Sequence, residues 1–255
     1  MKSLRSAALT RQWAGLCSGG FSRVGLGTLA LALVATQVAC IDPVKFSSAT
    51  ALSTIAPADW PIPAVVEADF GVVVPSKEVR SVANGVLHSR DHAEADFIII
   101  DKKNAMVYVF DANGTLRGAS PVLLGSAVGD DTVPGIGSRP IAQVLPEERT
   151  TPAGRFIAER GRNTLGEDVV WVDYDAAVSM HRVRATNPKE RRLERLATPT
   201  ADDNRISYGC INVPVAFYEA VIAPTFAVDR AVVYVLPDVK PMAQVFNFYA
   251  GLAKN

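Results

Sequence analysis

The sequence predicts a mostly β fold that carries a few helices, and three observations predict it. From residue 96 onward the chain breaks into short runs rich in Val, Ile, Phe and Tyr, such as "FIIID" and "AMVYVF", residue types that suit a pleated, half-buried surface. The breaks between these runs carry turn residues: "KKN" at 102–104 is hairpin-like, and "DANG" at 111–114 holds the Asn-Gly pair that favours a tight turn. Helical spacing of apolar residues is confined to three stretches, two of them near the ends of the chain. Several short strands separated by turns imply a sandwich or a barrel.

Residues 1–41 hold Lys2, Arg5, Arg11 and Arg23 but no carboxylate, then an apolar run over 24–35, then the small-residue finish "TQVAC". This is the pattern of a secretory leader. An uncleaved anchor is the competing reading, because 24–41 is uncharged and near the lower length limit for a spanning helix. Two internal glycines and the small residues favour cleavage. "QVAC" also resembles a lipobox, in which Cys40 would be lipidated and become the mature N-terminus; Ala39 fits that pattern and Gln37 departs from it. The expectation is an exported protein of the periplasm or cell envelope, with membrane attachment through Cys40 as its variant.

Residues 42–67, rich in Ala, Ser and Pro without a sustained period, read as a tether. Within 68–95, "PSKEVRSVANGVLHS" places Val79, Val82, Val86 and Leu87 at helical spacing after a Pro-Ser start, so a short amphipathic helix is expected there. The body, 96–238, contributes the runs "FIIID", "AMVYVF", "LRGASPVLLG", "GRFIAER", "VVWVDY", "AVSMHRV" and "AVVYVLP". Inside it "PVAFYEAVI" begins with Pro214, tolerated at a first helical position, and carries Phe217, Val221 and Ile222 on one side. Residues 239–255 read as a C-terminal helix, with Val245, Phe246, Tyr249 and Leu252 as its expected stripe. Two long polar segments interrupt the body: 125–151, rich in Gly and Pro, and 186–204, strongly charged. The second reads either as a solvated helix and loop or as a lid over Cys210, six residues beyond its end.

Twenty-six basic and twenty-six acidic residues balance and are interspersed, so no field that would gather nucleic acid is present. The 255 residues, 49% hydrophobic, suffice for one sizeable core. Of three cysteines, Cys17 leaves with the leader and Cys40 is lost, lipidated or left on the tail, so Cys210 has no evident partner in an oxidising compartment. A Cys-rich zinc site is excluded, because only His88, His92 and His181 could join it. His88 and His92 stand at i, i+4, but without a third ligand a surface pair is expected.

Cys210 lies in "DNRISYGCINVP". A thiol becomes a nucleophile when a histidine favours its thiolate and backbone N–H groups hold the oxyanion that forms after attack. Gly209 allows a turn that could aim the N–H groups of Tyr208, Gly209 and Cys210 at one point. His181 ends the strand-like run "AVSMH", twenty-nine residues before the cysteine. Taken singly, His181 also reads as a satisfied structural histidine and Cys210 as a small buried hydrophobe.

Three pieces in order resemble the L,D-transpeptidase catalytic domain, the YkuD-like family. "FIIIDKKNAMVYVFDANGTLRGASPVLLG" is similar to its opening strands, "TTPAGRF" to its Thr-Pro-x-Gly-x-Phe segment, and "SMHRV" with "ISYGCIN" to its His…Ser-His-Gly-Cys-x-Asn signature. The resemblance spans 96–236. It implies a β-sandwich with the catalytic cysteine at a strand end, acting on peptidoglycan stem peptides without a metal or organic cofactor. Cys210 then matches the nucleophile and His181 the general base, with Ser207, Tyr208, Gly209 and Asn212 in oxyanion and positioning roles. Tyr208 stands where the signature has its second histidine, and the gap between His181 and Cys210 exceeds the usual one. Arg182 and Arg205 are candidates for holding a stem-peptide carboxylate; for Arg182 an exposed structural role competes. A hydrolase of the same peptides and a noncatalytic peptidoglycan-binding protein are the alternatives that the resemblance leaves.

Overall fold

The runs of β-branched and aromatic residues become ten strands. The structure, a computed structural model, describes residues 66–227 and 230–252; the expected leader with Cys17 and Cys40, and nearly all of the expected tether, lie outside them. In chain order the strands are β1 Phe97–Asp101, β2 Met106–Phe110, β3 Leu116–Pro121, β4 Leu124–Gly125, β5 Gly154–Arg162, β6 Asp168–Asp173, β7 Val178–Arg182, β8 Arg205–Ser207, β9 Ile211–Val213 and β10 Ala231–Val235. Eight of them form a sheet in the order β3-β2-β1-β10-β5-β6-β7-β9, while β4 and β8 pair separately. The fold is mostly β with a few helices, as the sequence predicts.

The sheet folds over on itself through β5. Residues Gly154 to Ala158 pair with β10, and Glu159 to Arg162 pair with β6. Both halves then turn one face onto a shared core in which Ile98, Val107 and Val233 of the first half meet Val170, Met180 and Ile211 of the second. That is a sandwich in its packing: one continuous hydrogen-bonded sheet, two inner faces, one apolar interior.

The other face of the first half is also covered, which explains why "FIIID" and "AVVYV" show no polar alternation. Ile98, Ile100, Val233 and Val235 point into the shared core; Phe97, Ile99, Val232 and Tyr234 point the opposite way into a second cluster. Helix α1 (Lys77–Ser89) closes that cluster with Val79, Val82 and Val86. Its N-cap is Ser76, whose hydroxyl accepts the Val79 N–H, and its C-cap is Arg90 in the left-handed conformation. A strand buried on both faces reads as a continuous apolar run.

Several expectations change in detail. "LRGASPVLLG" is two strands, because Pro121 lacks the N–H needed to extend the ladder and β4 instead joins β8. The helix after Pro214 comprises α3 (Val215–Phe217), a π-helical stretch Tyr218–Ile222 and α4 (Ala223–Thr225). The C-terminal helix is two, α5 (Met242–Val245) and α6 (Asn247–Leu252), separated at Phe246, which has extended backbone and is buried. His88 and His92 do not share a helical face, since α1 stops at Ser89, and His92 is not on the surface: it is 4% exposed, with Nε2 3.0 Å from the Ala112 carbonyl. Among the described residues no cluster of three metal-ligating side chains occurs, and no helix is long and apolar enough to cross a membrane.

Candidate active site

Two short parallel strands bring the histidine and the cysteine together. In the β7–β9 pair, Met180 stands opposite Ile211 and His181 opposite Asn212. Met180 and Ile211 are fully buried in the shared core. Because side chains alternate along a strand, their neighbours face the other way. Ser179, His181 and Asn212, with Cys210 at the entrance to β9, therefore occupy one outer face. The twenty-nine residues between His181 and Cys210 reduce to the spacing between adjacent strands.

The imidazole is committed to one tautomer. His181 Nδ1 lies 2.8 Å from the Arg182 carbonyl, and a carbonyl only accepts, so Nδ1 carries the proton and Nε2 is left as the basic nitrogen. His181 and Cys210 border the same cavity and influence each other's ionisation, while the thiol donates to the Ala177 carbonyl at 3.6 Å. Burial by itself would raise the thiol; the neighbouring His181 ring and its charge, with the backbone N–H and hydroxyl of Ser179, overcome it and hold Cys210 below its ordinary 9.0. For His181, burial favours the neutral ring, yet the neighbouring thiol and its charge, with the Arg182 carbonyl, lift it above 6.5. Both shifts favour a thiolate–imidazolium pair. Ser179 Oγ is 3.6 Å from the sulfur. Sequence reasoning missed this serine, although its position two before His181 in a strand run was the available signal.

The turn before the thiol is fixed from three sides. Gly209 has φ +127°, and a Cβ there would stand 2.7 Å from the Thr150 carbonyl oxygen, so glycine is required. Its carbonyl accepts from Thr151 Oγ1 at 2.8 Å, and Thr151 Oγ1 accepts the Gly125 N–H at 2.9 Å. Ser207 Oγ donates to the Cys210 carbonyl at 2.6 Å and accepts the Gly209 N–H at 3.1 Å. That last bond corrects one expectation: the Gly209 N–H is engaged by Ser207 and is not free to meet an oxyanion. Asn212 holds the same carbonyl, with Nδ2 donating to Cys210 O at 3.2 Å.

Cys210 sits where two cavities meet, of about 410 and 210 Å³, which share Ile141, Ala177, Tyr208 and Cys210. The larger also contains His181, Ser179, Trp171 and Arg192; the smaller is walled by the Gly- and Pro-rich segment, including Ile136, Arg139 and Val144. Tyr208 divides them. The residue is 40% exposed, and the Arg149 guanidinium lies 4.1 Å from the ring centroid, a cation–π contact that holds the ring in place. The charged segment 186–204 does reach the thiol's surroundings, as its lid reading requires: α2 (Arg192–Ala197) is anchored by Leu196 against Leu123 and Val183, and Arg192 Nη1 donates to Asn212 Oδ1 at 2.7 Å.

Arg182 and Arg205 are not brought to the thiol. Arg182 follows His181 in the strand and so faces the opposite way, where it binds Glu219 at 2.6 Å and stacks over Tyr218. Arg205 is locked in a bidentate pair with the buried Asp238. Both are structural, and the two arginines that do line the larger cavity are Arg184 and Arg192.

No family model and no curated protein matches this chain. Among solved structures, the LD transpeptidase LdtMt1 in complex with imipenem is similar at 18% identity and a TM-score of 0.34, covering 56% of this chain and 59% of that one. The catalytic domain of the E. faecium L,D-transpeptidase is similar at 16% identity and a TM-score of 0.31, covering 56% of this chain and 98% of that one. This chain thus spans about three fifths of the length of the first of these. With both scores below one half, the likeness by itself assigns neither family nor activity.

Proposed function

We propose that this protein is a cysteine-dependent acyltransferase of the L,D-transpeptidase kind, exported to the cell envelope and acting on peptidoglycan stem peptides. The observation that supports this most is the Cys210–His181 pair: a thiol at a strand end, in one cavity with an imidazole of the adjacent strand whose Nδ1 is occupied by a carbonyl. The signature around it supplies the substrate class. His181 Nε2 takes the thiol proton, and the sulfur attacks the carbonyl carbon of the amide that follows the third stem residue. The tetrahedral oxyanion faces the N–H groups of Tyr208 and Cys210 in this reading, since that of Gly209 is engaged. Collapse breaks the C–N bond, the imidazolium protonates the departing amine, and a thioester remains on Cys210. An amine of a second stem peptide then attacks the thioester, gives its proton to Nε2, and expels the thiolate.

The test is mass spectrometry of the protein incubated with a tetrapeptide-bearing muropeptide. Expected are an acyl adduct on Cys210 and a cross-linked product, both absent in Cys210→Ala. A trimmed peptide without cross-link would make the protein a hydrolase. Binding with no covalent change would make it a peptidoglycan-binding protein.

A further inference from the structure

Beside the thiol, the outer face of the sheet carries an aromatic surface that the chemistry of Cys210 and His181 does not use. Trp171 lies on β6 between Val170 and Val172, which both point into the shared core, so its indole takes the outer face. It stands in register with Ser179, whose hydroxyl is 3.6 Å from the Cys210 sulfur. Indole, serine and thiol therefore form a row across β6, β7 and the entrance to β9, and the indole lines the cavity that holds the thiol.

Gly161, on β5, shapes that surface. A Cβ there would stand 2.7 Å from Trp171 Cδ1 and 2.9 Å from Nε1, so the missing side chain is what lets the indole lie down on the neighbouring strand. Tyr174 meets the indole edge-on, with ring centroids 5.1 Å apart and planes at 70°, and is 74% exposed. The exposed Leu165 belongs to the same cavity wall. Among the described residues the indole N–H has no acceptor. The charges around it are paired with each other: Glu159, opposite Trp171 on β5, with Arg230, and Glu167 with Arg184. What is left open is an uncharged corner of two aromatic planes and one N–H donor.

We propose that Trp171 and Tyr174 bind the sugar ring that carries the donor stem peptide, so that the protein takes glycan-bound stems in preference to free peptides. This rests on the stem-peptide reading of the site. A sugar ring has an apolar C–H face and a hydroxylated rim, which an aromatic plane with a polar handle matches at once. The corner offers a carboxylate no counter-charge, so a neutral ring suits it. Reach selects the same partner. With the carbonyl of the third stem residue at the sulfur, three residues of extended chain, about 10 Å, lead back to the sugar. From β9 to β6 is two strand spacings, also about 10 Å. A stem laid across the strands brings its sugar onto the indole without leaving the thiol cavity.

Binding is measured by calorimetry on the full chain carrying Cys210→Ala, with a disaccharide tetrapeptide and with the same tetrapeptide lacking the sugars. The sugar-bearing ligand binds about tenfold or more tightly, in line with burial of a ring face against an aromatic plane. Adding Trp171→Ala brings it to the affinity of the free peptide; Trp171→Phe keeps part of the preference. Should the alanine variant not fold, Tyr174→Ala, at an exposed ring, gives a smaller loss of the same preference. Equal affinities in the parent, a preference undiminished by these substitutions, or no binding of either ligand overturns the inference. So does a dimer of the parent that sedimentation detects and Tyr174→Ala abolishes, which would assign the corner to a second copy of this chain. Acylation of the Cys210-intact chain by the free tetrapeptide is read separately by mass spectrometry. An adduct without any sugar preference leaves the enzymatic reading standing and removes the glycan site; a preference that depends on Trp171, without an adduct, does the reverse.

Discussion

At Cys210 two opposing effects decide the chemistry. Desolvation disfavours the thiolate, and the neighbouring His181 with its charge, aided by Ser179, favours it; the second effect wins while these groups are present. The thiol therefore reacts with iodoacetamide at a pH below that of an ordinary cysteine, with the rate rising through a midpoint under 9.0. His181→Ala leaves the burial with only Ser179 to oppose it, so the midpoint rises and the rate at pH 7 falls as the thiolate fraction drops. An alkylation profile unchanged by the substitution would show that the imidazole does not set the thiol's state. Tyr208, in the place of a second histidine, contributes a ring held under Arg149.

The elements that hold the thiol are joined by Thr151. This residue is fully buried, and its hydroxyl links the end of β4, through the Gly125 N–H, to the carbonyl of Gly209. It is the second residue of "TTPAGRF", so that segment serves as a latch on the nucleophile's turn. Thr151→Val keeps the shape and strands a buried N–H and a buried carbonyl. The expected cost is about 2–4 kcal/mol, two unmade buried hydrogen bonds, read as a lower urea midpoint at unchanged slope. An unshifted midpoint would mean that water or a neighbour replaces the hydroxyl. The "FIIID" and "AVVYV" runs show the opposite relation between element and context: their propensity decides the strand, while burial on both faces depends on α1 and α6, which the runs themselves do not encode.

Across the whole molecule, a buried charge network ties β1, the Gly- and Pro-rich segment and the chain after β10 into one unit. Lys102, in the "KKN" turn and fully enclosed, donates to the Gly129 and Thr151 carbonyls and to Asp130, and lies 3.2 Å from Asp238. Asp130 accepts the backbone N–H groups of Asp238, Val239 and Lys240. Burial would raise the Asp130 carboxyl; Lys102 and those N–H groups outweigh it and bring it down to about 2. A depressed carboxyl stabilises the fold above its unfolded value of 3.8, and that contribution is lost as pH falls through about 2. It amounts to about 2 kcal/mol. Asp130→Asn removes this part of the acid sensitivity, seen as a flatter stability curve between pH 4 and 2 in denaturation experiments; an identical slope in the variant would exclude Asp130 as its source. Lys102→Met leaves two buried carboxylates short of a counterion and costs about 3–5 kcal/mol in the same assay; a loss smaller than about 1 kcal/mol, the worth of an exposed pair, would show that Arg205 alone balances Asp238.

The sequence by itself determined the strand runs, their turns and the two residues on which the chemistry is proposed to rest, because residue type and period are local properties that survive in a linear string. "AVSMH" already carries the alternation that puts Ser179 and His181 on one face. The joining of the faces is not local. That His181 stands beside Cys210 is a result of β7 and β9 pairing in parallel across the thirty-one-residue step from His181 to Asn212, and no periodicity records a pairing register. The same holds for the arginines. Arg182 and Arg205, adjacent to the motifs in sequence, are bound up in Glu219 and Asp238, whereas Arg149 and Arg192, distant from the thiol in one case and embedded in a charge run in the other, are the ones that reach its surroundings. Only the tertiary structure decided which charges are paired, since an ion pair depends on distance through space, and it decided that Lys102 is interior, since one of two lysines in a turn finds three acceptors waiting and the other finds water.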